Sequence, residues 1–108
     1  VYKKPYKQVA EEILTQLGGN SFLLKTGSRK PACLLDSAGH AVLQFHLSEN
    51  FAKDGINMVW FCLIDDGTYL ALYWKDVFGE NFTLITRSEN LSLDALLSDF
   101  SKNAGIEV

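Results

Sequence analysis

The apolar residues at the start of the chain fall at Tyr6, Val9, Ala10, Ile13, Leu14 and Leu17, the i, i+3, i+4, i+7 spacing of a helix with one buried face. Pro5 presets the first turn, and Gly18-Gly19 supplies a left-handed stop. The far end mirrors this pattern. Leu93, Leu96, Leu97, Phe100 and Ala104 share one stripe over 92–104, Gly105 follows as a stop, and Ser92 stands where a hydroxyl caps the first free amides. Leu91 and Leu96 occupy the positions of a hydrophobic staple. Between the two helices the period changes to 2, which predicts strands near 21–26, 31–36, 40–47, 56–64, 68–75 and 82–87. Gly27-Ser28, Ser37-Ala38-Gly39 and Asp65-Asp66-Gly67 mark the reversals, and Asp66-Gly67 between two apolar runs is the strongest hairpin signal.

Short strands joined by short connections predict an antiparallel sheet, since parallel neighbours need crossovers of about a dozen residues or more. The expected fold is therefore α+β in two layers: an N-terminal helix, an antiparallel β-meander of five or six strands, and a C-terminal helix, all within one domain spanning 1–108. One strand does not fit a sheet covered on one face only. Ile56, Met58, Trp60, Cys62 and Ile64 lie on one side of it and Val59, Phe61 and Leu63 on the other. Its hairpin partner repeats the pattern, with Leu70, Leu72 and Trp74 against Tyr69, Ala71 and Tyr73. A one-sided strand alternates with polar residues, so something must cover the second face: a curl of the sheet, the N-terminus, a second copy or another protein. Tyrosine is amphipathic and frequent in contact surfaces, which makes Phe61, Tyr69 and Tyr73 the candidate protein-binding residues.

Composition adds limits. At 108 residues, with 47% hydrophobic and 21% charged residues, the chain matches a globular domain with one core. The longest apolar run, Met58 to Ile64, is strand-sized, far short of the roughly 20 residues of a membrane span. The start, Val1-Tyr2-Lys3-Lys4-Pro5, has the charge of a signal peptide but leads into an amphipathic pattern with Glu11 and Glu12. Cys33 and Cys62 stand in no metal or redox spacing, and reduced thiols in a cytoplasm are the expectation. The net charge of −3 conceals an asymmetry: residues 1–30 hold six bases and two acids, residues 31–108 four bases and eleven acids. Lys25, Arg29 and Lys30, with Lys3, Lys4 and Lys7 nearby, form the only cluster suited to nucleic-acid phosphates, on a body whose acidity works against it.

Catalytic patterns are sparse. His40 and His46 share a strand side, but six residues at about 3.3 Å each separate them by roughly 20 Å, too far for one metal ion. His46 is a candidate base if a neighbouring strand supplies an acid, and His40 reads as a turn residue. Asp65-Asp66 sits on a hairpin tip, where adjacent carboxyls point apart and are solvated, without the burial that raises the pKa of a general acid. Asp76, Glu80 and Asn81 supply too few oxygens for a calcium loop. There is no G-x-S-x-G, and Gly18-Gly19-Asn20 closes a helix rather than opening one on a phosphate. No cofactor is expected.

The segment Ile13-Leu14-Thr15-Gln16-Leu17-Gly18-Gly19-Asn20-Ser21-Phe22, followed by Thr26-Gly27, resembles the opening of a group of short proteins encoded by bacteriophages and other mobile elements. In those an amphipathic helix ends in L-G-G-N and runs into a strand closed by T-G. Gly55-Ile56-Asn57, Val59 and the last helix through Leu96, Ser98, Phe100, Gly105 and Ile106 extend the likeness in pieces over half the chain. The resemblance implies a mobile-element origin and a bacterial cytoplasm, and carries no catalytic residues. The expected function is a non-catalytic protein-binding module, an accessory protein that inhibits or modulates a host protein, including a defence protein, by occupying its surface. A homodimer, nucleic-acid association through Lys25, Arg29 and Lys30, and an enzyme using His46 are the alternatives.

Overall fold

The structure is a computed structural model that describes residues 5–48, 52–64, 66–77 and 81–106. Helix α1 (Tyr6–Leu17) begins after Pro5, whose carbonyl accepts from the Gln8 and Val9 amides. It buries Val9, Ala10, Ile13 and Leu17. Gly18 ends it at φ 122°, with its own amide and that of Gly19 donating to the Leu14 carbonyl. The chain then enters a second short helix, α2 (Asn20–Thr26), where a strand was expected. Phe22 and Thr26, four residues apart, turn inward, while Leu24 points to solvent. Seven residues are too few to hold a helix alone. Phe22 anchors this one, meeting Phe45 and Phe100 edge-on at centroid distances of 5.5 and 5.0 Å; full burial of such a ring is worth about 1.5–3 kcal/mol.

Five strands follow in meander order: β1 (Arg29–Leu35), β2 (Ala41–His46), β3 (Met58–Leu63), β4 (Tyr69–Val77) and β5 (Asn81–Leu91), each antiparallel to its neighbours. The expected hairpins are present. The β1–β2 turn closes through Gly39 to the Asp36 carbonyl, and the β3–β4 turn through Gly67 to the Ile64 carbonyl. After β5 the chain makes a 3-10 turn (Leu93–Ala95) and then helix α3 (Leu96–Ala104), stopped by Gly105 in the left-handed region. Ser92 does not cap this helix with its hydroxyl; its carbonyl accepts from the Ala95 amide and starts the 3-10 turn instead.

Register settles which side of the sheet is inside. Leu43, Phe61 and Ala71 stand opposite one another across β2, β3 and β4, as do Phe45, Val59 and Tyr73. Directly paired residues share a face, and all six belong to one buried cluster with Val9 and Ile13 of α1, Phe22 of α2 and Phe100 of α3. The helices therefore cover this face.

Candidate functional site

Phe61, Tyr69 and Tyr73, the residues expected to form a binding face, lie beneath the helices at 0, 7 and 0% exposure. Their assignment to an outer surface is corrected. The polar end of Tyr73 is satisfied inside the chain: its hydroxyl donates to Asp99 Oδ2 of α3 at 2.7 Å, and Asn103 of the same helix donates to Ser88 of β5. Burial raises the pKa of this phenol above its ordinary value, and the hydrogen bond to Asp99 and its charge raise it further. The tyrosine fastens α3 to the sheet.

The residues of opposite parity make the other face. Gln44, Trp60 and Leu72 align across β2, β3 and β4; so do Val42, Cys62 and Leu70, and His46, Met58 and Trp74. Leu34 of β1 extends the second row, and Arg87 and Leu84 of β5 continue the first and third. None of these residues belongs to the cluster under the helices. Trp60, Leu70, Leu72 and Trp74 are half-buried, and Phe82 and Leu84 toward the β5 edge are exposed. Trp60 and Trp74 meet edge to face at 6.0 Å, and the Trp60 indole donates to Gln44 Oε1 at 2.8 Å. His46 Nδ1 and Trp74 Nε1 are buried there with no hydrogen-bond partner, an arrangement that costs about 1–3 kcal/mol for each such group. Burial pushes the Cys62 thiol up to about 12, with the Asp36 charge adding to it, so it stays protonated at neutral pH. Cys33 on edge strand β1 is exposed.

The remaining candidates are scattered. The Cα of His46 stands opposite Arg29 on one side and Met58 on the other, so no carboxylate flanks it in register. His40 is at the β1–β2 turn, its Nδ1 3.0 Å from Asp36 Oδ2. Asp66 is a turn residue whose carboxylate accepts from the Thr68 amide and hydroxyl; Asp65 lies outside the described residues. Asp76 is part of β4, its backbone bonded to the Asn57 side chain in both directions, while Glu80 and the Asn81 side chain lie outside the described residues. Lys25 is exposed on α2, and the side chains of Arg29 and Lys30 also lie outside the described residues. Among the described residues no three His, Cys, Asp or Glu side chains are placed to hold a metal ion, and no helix is long and apolar enough to cross a membrane.

The hydroxyls of Thr26, Ser28 and Ser48 gather beside the basic segment but point inward. Thr26 donates to the Phe22 carbonyl at 2.8 Å and contacts Ser28, and Ser48 donates to the Gly27 carbonyl at 3.3 Å. They hold the junction of α2 and β1 against the segment that follows β2. Comparison with protein-family models, curated proteins and solved structures gives no match to this chain.

Proposed function

We propose that the chain is a non-catalytic protein-binding module whose contact surface is the sheet face opposite the helices, centred on Trp60, Leu72 and Trp74. The observation that supports this reading is the apolar character of a face that no described helix packs on. Two half-buried tryptophans with Leu34, Leu70, Leu72 and Leu84, bordered by the exposed Phe82, form its surface. Large rings of this kind supply contact area at low entropic cost and recur among the residues that dominate binding energy. An apolar surface shared by several strands is also more than the scattered exposed leucine that any protein carries. The unpartnered His46 and Trp74 nitrogens mark the same face as one whose polar groups a rearrangement on binding would benefit.

The resemblance of the Leu17-Gly18-Gly19-Asn20 segment to mobile-element proteins adds the partner's setting, a bacterial host protein that the module inhibits or modulates by covering its surface. Leu84→Lys and Leu72→Lys each place a charge on the face without opening the helix-side core. A host protein retained by the immobilised wild-type chain should be lost with either variant and kept with Leu24→Lys, which alters an exposed position on α2. Retention that is indifferent to Leu72→Lys and Leu84→Lys would remove the face from the function.

A further inference from the structure

The two edges of the sheet differ. Along β1, Pro31 has no amide to donate, and the register shifts between Arg29 and Ala32; proline and irregular pairing both blunt an edge. Strand β5 runs for 11 residues without proline. Among the described residues, none outside β4 makes a backbone hydrogen bond to it. Its open side is a row of backbone groups suited to another strand. Two irregularities limit that row. Ile85 is an extra residue between Leu84 and Thr86, which oppose Trp74 and Tyr73, and a second extra residue lies between Ser88 and Leu91, where Asn90 has φ 57°. Between them the register with β4 is regular over Thr86–Ser88, and Glu89 stands at the start of the second irregularity.

The charges beside Ser88 choose the partner. Arg87 and Glu89 flank it, each 54% exposed, and pair with each other at 2.5 Å within the strand. Two antiparallel strands related by a twofold axis at residue 88 place residue 87 of each opposite residue 89 of the other. We propose that β5 pairs with β5 of a second copy of this chain about a twofold axis at Ser88, so that Arg87 faces the partner's Glu89 and Glu89 the partner's Arg87. Opposite charges in directly facing positions stabilise a strand pair, and like charges there destabilise it. The pairing joins two five-stranded sheets edge to edge and sets the two tryptophan faces side by side. The run between the irregularities is short, so the dimer is concentration-dependent rather than permanent. Arg87 ends the Trp60 row, but the pairing runs through the backbone of the β5 edge, so this inference does not rest on the function proposed for that face.

Sedimentation velocity over about a hundredfold range of concentration reads the dimer directly. Arg87→Glu and Glu89→Arg are surface changes, and circular dichroism verifies that each variant is folded. Alone, either variant sets like charges opposite each other twice, and its dimer should be at least about tenfold weaker than that of the wild type. An equimolar mixture of the two variants restores both opposite-charge pairs, and a heterodimer close to wild-type affinity should form. A wild type that stays monomeric throughout the range overturns the inference. So does a dimer indifferent to both substitutions, or a mixture that associates no more tightly than its components.

Discussion

At the scale of single residues, polar side chains close turns and fasten elements, and the clearest case is Asp36. Its carboxylate accepts from the Ala38 amide at 2.9 Å, the His40 amide at 2.8 Å and the His40 ring at 3.0 Å, ordering the turn between β1 and β2. Partial burial works against its ionised form, but the hydrogen bonds from His40 and Ala38, together with the His40 charge, outweigh it and hold the carboxyl below its ordinary value. A carboxyl depressed in the folded state contributes stability that is present above its unfolded value of about 3.9 and is lost as pH falls through the folded value. Asp36→Asn should therefore be less stable than the wild type near neutrality, with the difference shrinking as the pH is lowered below about 4. Urea midpoints measured over that range provide the check, and a difference that stays constant with pH would show that the charge contributes nothing. Tyr73 illustrates the same economy on the buried side, where one hydroxyl bound to Asp99 fixes a helix to the sheet.

At the scale of elements, the glycines that end α1 and α2 decide the path of the chain. Gly27 caps α2 at φ 63°, and a Cβ built on it would stand 2.6 Å from Ser48 Oγ. Gly27→Ala thus combines backbone strain with a clash at the junction of α2 and β1. A loss of about 1–3 kcal/mol in unfolding free energy is expected, read as a lower denaturant midpoint with an unchanged slope; a neutral outcome would mean that the junction relaxes freely. Helix α1, helix α3 and the two hairpins were legible because their periodicity and turn residues agree. Helix α2 was not, since Phe22-Leu23-Leu24 is a short apolar run that suits a strand as well as a helix. Contacts from Phe45 and Phe100, distant in sequence, decide it. The inner face is not legible from β3 and β4 for a related reason: both are apolar on both sides, and the amphipathic ring of tyrosine, as in Tyr69 and Tyr73, suits a contact surface as well as a core. The usable signal was in β2, where Gln44 and His46 alternate with Leu43 and Phe45. Carried across the sheet by register, that alternation places Phe61 and Tyr73 inside and Trp60 and Trp74 outside.

At the scale of the whole molecule, the central feature is a sheet with helices on one face and an apolar surface on the other. Central strands of a meander are shielded on both flanks by their neighbours, and that accounts for the burial of Val42, Met58 and Cys62 outside the main core. It does not remove Trp60 and Trp74 from solvent, because both keep part of their surface. The chain has two tryptophans, and both lie on this face, so tryptophan emission, excited selectively over the tyrosines, reports on it alone. The most direct measurement is acrylamide quenching of that fluorescence in the monomeric chain. An uncovered face gives efficient quenching in the native state, reduced when a protein occupies the surface; native emission that resists acrylamide and becomes quenchable only on unfolding would contradict an open tryptophan face.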